Sequence, residues 1–342
     1  MEEQVTVALT YAVDQRDEEL LQRVSPRVRL LPIAHLMRQE HLLITGGKED
    51  TDDYRRAKAE LDAALAQAEV LLLFREPRDL AQRAPNLKWV QLMHVGADSL
   101  ARSELGRLPA TLTDASGNTS RQIAESVLAA MLFFVKRLPE LLDSQHSHMW
   151  NRVVLSGLAG KTVGIVGLGH IGREVAHLAR AFDMRVLATR RSAQKRQQGV
   201  EGVDILYPPE ELDELLAASD FVALTLPLTP QNEGLINSDR IRAMRPTTYF
   251  VNVSRGKLVD EAALTVALQE GRLAGAALDV VQQEPLSGES ELWDMGNVLI
   301  SPHVSGNVDT WVHGTVELMA KNLERYLAGQ PLERVIERET AP

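Results

Sequence analysis

Between Val163 and Gly172 the chain runs VGIVGLGHIG, an apolar strand that breaks into Gly167-Leu168-Gly169-His170-Ile171-Gly172 and continues as the amphipathic stretch REVAHLARAF. Each glycine has a mechanical reason in that context. Gly167 allows the tight turn out of the strand, Gly169 lets the backbone approach a pyrophosphate, and Gly172 lets the next helix lie close to the sheet. The helix N-terminus adds free N–H groups and a positive dipole end. Glycine-rich turns without a ligand are common. Here strand and helix flank the turn in the right order, so the segment is expected to bind a dinucleotide.

The rest of the chain supports a parallel α/β architecture. Short apolar runs at 5–9, 28–33, 70–74 and 88–93 read as strands, with a helix over 51–68. After the turn-rich stretch TLTDASGNTS, residues 123–142 read as one long helix with a broad apolar face. A second region repeats the alternation, with strands expected at 162–166, 185–189, 221–226, 248–253, 273–280 and 298–300. Helices fall between them, at 208–218 and 260–270 among others. Alternating strands and helices imply crossover connections and parallel sheets. A last helix near 308–328 can cross back to the first region. The expected fold class is therefore α/β: two doubly wound Rossmann-like domains with a hinged cleft, the smaller one discontinuous. Its boundaries are expected at 1–117 plus 306–342 for a substrate (lid) domain and 118–305 for the dinucleotide domain.

Composition narrows the function classes. The 342 residues suffice for two domains, and a net charge of −10 with interleaved signs argues against a nucleic-acid surface. There is no cysteine, which excludes disulfides, thiolate metal sites and a cysteine nucleophile. No clustered His/Asp/Glu spacing suggests a metal. The N-terminal segment has no basic stretch leading into an apolar one, and no run approaches a membrane span, so a cytoplasmic protein without membrane contact is expected.

Three polar residues follow successive strands, where ligands of such sheets bind: Arg255 after TYFVNVS, Glu284 after LAGAALDVVQQ and His303 after VLISP. Singly, each has a dull explanation, as a solvated arginine, a turn glutamate or a structural histidine. Together, beside a dinucleotide site, they fit hydride transfer to a carbonyl. The carbonyl oxygen must receive a proton as charge develops on it, and histidine, which titrates near neutral pH, suits that role. A carboxylate beside an imidazole favours its charged form. Arginine supplies paired donors for a substrate carboxylate. On this reading His303 is the general acid/base, Glu284 its partner and Arg255 the substrate clamp.

These segments resemble the D-isomer-specific 2-hydroxyacid dehydrogenases. The resemblance is carried by LAGKTVGIVGLGHIG, LPLTPQNEGLIN, YFVNVSRGKLVDEAAL, GAALDVVQQEPL and SPHVSG, and extends to APNLKWVQLMHVGADSL near the N-terminus. It implies that Arg255, Glu284 and His303 are catalytic. It implies substrate carboxylate binding by the Val95-Gly96 loop together with Arg255 and His303. Cofactor contacts are implied for Gly167, Gly169, His170, Ile171 and Gly172, for Thr189, Arg190 and Arg191, and for Leu226, Pro227 and Val253. Asp279, His303 and Gly306 complete that side, Asp279 as an aspartate near the nicotinamide. The family's usual assembly is a homodimer, to which the apolar 123–142 segment is suited.

Two departures matter. Relatives often end the second strand with an aspartate for the ribose of NAD, whereas this chain has Thr189-Arg190-Arg191-Ser192 and no acid; Asp183 precedes the strand. Arginines and hydroxyls suit a 2′-phosphate, so NADP(H) is expected over NAD(H), with loose dual use as the bland alternative. Asn232 stands where many relatives carry threonine, and is expected to alter a cofactor-side contact. Weaker candidates are Arg75 for a second substrate carboxylate, His94 beside the carboxylate loop, and Trp150 and Trp311 as substrate covers or interface residues. The expected activity is reduction of a small 2-oxo acid such as glyoxylate or hydroxypyruvate. A dinucleotide-sensing, corepressor-like binding protein on the same fold is the competing reading.

Overall fold

The computed structural model describes residues 3–93 and 103–336 and divides into two compact units, 1–118 with 309–342, and 119–308. The discontinuous unit holds a five-stranded parallel sheet. Its strands are β1 (Val5–Leu9), β2 (Val28–Pro32), β3 (Val70–Leu73), β4 (Trp89–Leu92) and β5 (Thr111–Thr113), in the order β2-β1-β3-β4-β5. Strands buried on both faces favour continuous apolar runs; β3 is one, and β1, buried throughout, is interrupted only by Thr6. One face is covered by helix Asp52–Leu65 through Leu61 and Leu65. The other carries helix Trp311–Leu327, which buries Val316, Met319 and Leu323 completely. Each of those side chains contributes ~1.5–3 kcal/mol relative to exposure. That burial fixes the C-terminal helix on the N-terminal sheet.

The second unit holds an eight-stranded sheet: β6 (Thr162–Val166), β7 (Arg185–Thr189), β8 (Gln197–Val200), β9 (Val203–Tyr207), β10 (Phe221–Leu224), β11 (Tyr249–Asn252), β12 (Gly275–Leu278) and β13 (Val298–Ile300). The order is β13-β12-β11-β10-β6-β7-β9-β8, parallel except for the terminal β8–β9 pair. The strand order reverses at β6, and the glycine turn sits there. In such sheets the reversal leaves a crevice at the carboxyl ends, where ligands bind. Among the described residues no helix is long and apolar enough to cross a membrane.

The structure corrects the sequence reading in three places. The expected single helix over 123–142 is two, Ser120–Val135 and Leu138–His146, broken at Arg137 with φ of 49°. Pro139 explains the break: inside a continuous helix it would lack a donor and clash with the preceding turn, whereas in a first turn it costs nothing. The second sheet has eight strands rather than six, because the β8–β9 hairpin lies in a polar stretch. Lastly, the turn-rich stretch after residue 110 begins with β5, whose Thr113 Oγ1 accepts a hydrogen bond from Trp89 Nε1 at 2.9 Å.

Candidate active site

Three neighbouring parallel strands, β11, β12 and β13, run into loops at one edge of the second unit's sheet. The β11 loop carries Arg255, the β12 loop Asp279 and Glu284, and the β13 loop His303. His303 Nδ1 lies 2.9 Å from Glu284 Oε2, with both side chains partly open to solvent. The sequence reading placed these two residues together, and the structure brings them into hydrogen-bond range. Arg255 Nη1 donates to the carbonyl of its neighbour Ser254 at 2.8 Å, within the β11 loop.

Asp279 has a clear structural task. Its carboxylate is 5 % exposed and accepts from Ser301 Oγ at 2.6 Å, from the Val304 amide at 2.9 Å and from the Ser305 amide at 3.1 Å. Its own carbonyl accepts from the His303 amide at 2.8 Å. His303 itself stands at φ 56°, a left-handed conformation that a non-glycine residue adopts only when its surroundings impose it. Asp279 thus ties down both sides of the histidine and aims it.

The β11 and β12 loops are keyed by a glycine that the sequence reading passed over. A Cβ on Gly256 would overlap the Val281 carbonyl and the Gln282 amide, so only glycine lets the Arg255 loop sit against the Glu284 loop. Gln282 adds two ties, its amide donating to Glu261 Oε2 at 2.8 Å and its Nε2 to the Val259 carbonyl at 2.7 Å. The glycine after Arg255 was visible in the sequence, but its need depends on a segment far along the chain.

At the switch point the turn after β6 is built as the motif requires. Gly167 has φ 107°, and a Cβ there would lie 2.9 Å from the Leu226 amide nitrogen. A Cβ on Gly172 would run into the Gly167 carbonyl. The Gly167 and Leu168 amides donate to the Thr189 carbonyl, and Thr225 Oγ1 donates to the Gly167 carbonyl at 2.7 Å. A phosphate group fits what remains. Apart from Gly169 and its chain neighbours, no protein atom lies within 4 Å of a Cβ built there, so the space in front of the loop is open. Helix His170–Ala181 has no side-chain cap and no acid in its first turn, so the positive end of its dipole faces the loop uncompensated by a carboxylate of that turn. His170 is exposed and Ile171 packs against the core.

The chain's comparisons agree with this geometry. Residues 128–305 match the family model described as D-isomer specific 2-hydroxyacid dehydrogenase, NAD binding domain. The chain belongs to the D-isomer-specific 2-hydroxyacid dehydrogenase family. It is 31 % identical over 312 residues to a glyoxylate reductase of Thermococcus onnurineus, covering 89 % of this chain and 92 % of that protein. A D-isomer specific 2-hydroxyacid dehydrogenase family protein of Aeromonas salmonicida superposes with a TM-score of 0.82 at 28 % identity, covering 98 % and 100 % of the two chains. An NADPH-dependent glyoxylate/hydroxypyruvate reductase of Sinorhizobium meliloti, solved with NADP and sulfate, gives 0.76 at 26 % identity over 98 % and 99 %. The chain is accordingly a D-2-hydroxyacid dehydrogenase with a nucleotide cofactor.

The remaining candidates of this dehydrogenase are dispersed. Thr189 is buried, Arg190 is partly buried in an ion pair with Glu201, and Arg191 is exposed. Leu226 packs against Gly167, and its carbonyl accepts a hydrogen bond from Ser254 Oγ. The Pro227 carbonyl accepts from Asn232 Nδ2 at 2.8 Å, while Asn232 Oδ1 accepts from the Thr229 amide at 2.7 Å. Both ends of the Asn232 side chain close its own loop. Val253 is half-buried, and a Cβ on Gly306 would stand 3.3 Å from Thr119 Oγ1. Val95, Gly96 and His94 lie outside the described residues. Arg75 meets the His41 ring, and Trp311 donates to the Met93 carbonyl at 3.0 Å while packing edge-on against Tyr11 and Phe74. Trp150 is 95 % exposed.

Proposed function

We propose that this chain reduces a small 2-oxo acid to the D-2-hydroxy acid with NADP(H), using His303 as general acid/base, Glu284 as its partner and Arg255 as the substrate clamp. The observation that carries the reading is the 2.9 Å contact between His303 Nδ1 and Glu284 Oε2 at the carboxyl ends of adjacent strands. An ionised Glu284 keeps a proton on Nδ1, which leaves Nε2 as the nitrogen that exchanges a proton with substrate. The bound nicotinamide supplies the hydride when the substrate carbonyl carbon is reduced. His303 delivers the Nε2 proton to the carbonyl oxygen, and the resulting imidazole is reprotonated from solvent, to which it is open. Arg255 offers planar paired donors to the substrate carboxylate and polarises the adjacent carbonyl. In the reverse direction His303 accepts the hydroxyl proton at Nε2.

The turn residues Gly167, Gly169 and Gly172 with the helix N-terminus would hold the pyrophosphate, and Arg190 and Arg191 would face the adenosine 2′-phosphate. Unit 119–308 is assigned to nucleotide binding and the discontinuous unit to the substrate. The glyoxylate reductases among its relatives make small 2-oxo acids the first substrates to try. A homodimer is proposed from the apolar side chains left open on 138–155, among them Leu142, Met149, Trp150 and Val154. Oxidation of NADPH and NADH followed by absorbance, against glyoxylate, hydroxypyruvate, pyruvate and an aromatic 2-oxo acid, tests the reaction. We expect turnover with NADPH preferred, and His303→Ala to lower kcat by about 10²–10⁴-fold with nucleotide affinity retained. Tight nucleotide binding without turnover of any 2-oxo acid would favour the sensing role instead.

A further inference from the structure

The β8–β9 hairpin turns through Glu201 and Gly202, with φ of 50° and 79°. Two successive left-handed residues make the type I′ turn, whose first position favours Asn, Asp or Gly. Glutamate is a poor choice there, because its Cβ meets the backbone in the left-handed region. Its side chain supplies the reason for its presence. Oε2 accepts from Arg173 Nη2 at 2.9 Å, and Oε1 pairs with Arg190 Nη1. Arg173 lies in the first turn of the helix that follows the glycine loop, and Arg190 directly follows β7. One carboxylate therefore bridges Arg190, which is proposed to face the adenosine 2′-phosphate, and Arg173 in the first turn of the helix after the glycine loop. The two guanidinium groups, that of Arg190 first, hold the Glu201 carboxyl below the usual carboxylate range.

The bridge is incomplete and exchangeable. Arg190 Nε is buried without an acceptor, so a single carboxylate does not use the whole guanidinium fork. The Arg190 and Glu201 side chains keep 29 % and 35 % exposure, so water screens the pair and can help separate it. A phosphate monoester, with three oxygens and a charge of about −1.5 to −2, matches two guanidinium groups better than one carboxylate does. With Glu201 in place it meets a cluster of net charge +1, and with Glu201 neutral a cluster of +2.

We propose that Glu201 is a specificity-determining residue, an internal anion that occupies Arg190 and Arg173 and must yield to the 2′-phosphate, so that it moderates the preference for NADPH over NADH. The proposal rests on the reading that Arg190 faces that phosphate. The test is calorimetric titration of the full chain with 2′,5′-ADP and with 5′-AMP, at one fixed ionic strength. The variants are Glu201→Gln, Glu201→Asn and Arg190→Gln. Glu201→Asn suits the turn, so it separates loss of the carboxylate from a damaged hairpin. We expect both Glu201 variants to bind 2′,5′-ADP about three- to tenfold more tightly, the size of one like-charge repulsion across a few ångströms of largely aqueous surroundings. Affinity for 5′-AMP should stay within about twofold of the unaltered chain. Arg190→Gln should weaken 2′,5′-ADP alone. Unchanged or weaker 2′,5′-ADP binding in both Glu201 variants, with Arg190→Gln still weakening 2′,5′-ADP and sparing 5′-AMP, overturns the role of Glu201 and leaves the Arg190 reading intact. An Arg190→Gln variant that discriminates like the unaltered chain overturns the Arg190 reading itself.

Discussion

Asp279→Asn is the substitution that most directly tests how the histidine loop is held. The carboxylate accepts at Oδ1 from Ser301 Oγ and from the Val304 and Ser305 amides, and at Oδ2 from the Ser305 amide at 3.1 Å. An asparagine keeps an oxygen in the Oδ1 position and sets an NH₂ donor against the Ser305 donor. Hydrogen bonds to a charged acceptor contribute about 1.5–3 kcal/mol against about 0.5–1.5 for a neutral one, so each retained bond weakens by about 1 kcal/mol. The Ser305 amide, if it stays buried, loses a further ~1–3 kcal/mol. Ser305 is only half-buried and can turn to water, so a net loss of about 2–3 kcal/mol for the closed loop is expected. Such a loss is about 30–150-fold in the equilibrium between closed and open loop. Because His303 depends on that loop for its left-handed backbone, kcat should fall by up to that factor. Stopped-flow turnover and nucleotide titration on the same preparation measure it, and circular dichroism confirms a folded sheet. Nucleotide Kd should stay within about threefold, since the loss concerns the loop and not the glycine turn. A kcat within threefold of the unaltered chain would refute the reasoning.

Other outcomes follow from single contacts. Gly256→Ala should displace the Glu284 loop and cost about 1–3 kcal/mol by overpacking, with kcat lowered more than nucleotide affinity, as thermal denaturation and steady-state kinetics would show. Burial raises the Glu76 carboxyl above its ordinary value, although it accepts from the Leu105 amide at 2.8 Å. A raised acid favours the folded state most below its unfolded pKa, and that contribution is lost as pH rises through the folded value. Glu76→Gln should therefore remove a loss of stability that sets in as pH rises above the ordinary glutamate range, and an unaltered pH profile of melting temperature would contradict this. Trp150→Ser should lower dimer content in light scattering, with the monomer's melting cooperativity retained.

The strand–turn–helix motif was legible because each of its glycines answers a local steric need, and the buried strands because parallel sheets demand unbroken apolar runs. β5 was not, since three residues carry no periodicity and its place depends on pairing with Trp89, Val90 and Gln91. The β8–β9 hairpin hid for a different reason. Its turn signal is Glu-Gly rather than Asn-Gly, and the residue that breaks the turn rule is the one that pairs with two arginines. Arg255, Glu284 and His303, the proposed site, stand out in sequence by their places after successive strands beside a dinucleotide turn. The devices that aim them do not, because Asp279 acts on a loop that begins 22 residues later and Gly256 on the segment at Val281.

These devices share a logic that follows from the sheet. Parallel strands end at one edge, so loops from β11, β12 and β13 meet there without being neighbours in sequence, and nothing in a strand fixes a loop beyond its last ladder bond. Each loop is therefore held by the one beside it: Arg255 by the close approach of Gly256 to Val281, Glu284 by the ties of Gln282, and His303 by Asp279. The groups proposed as catalytic remain partly open to solvent, as groups that must meet a substrate do. Asp279 and Gly256, which hold two of them, are buried. Substituting a residue proposed as catalytic should thus remove chemistry and spare the fold. Substituting Asp279 or Gly256 should loosen the site while every catalytic side chain is still present, and only kinetics and stability measured together will separate the two cases.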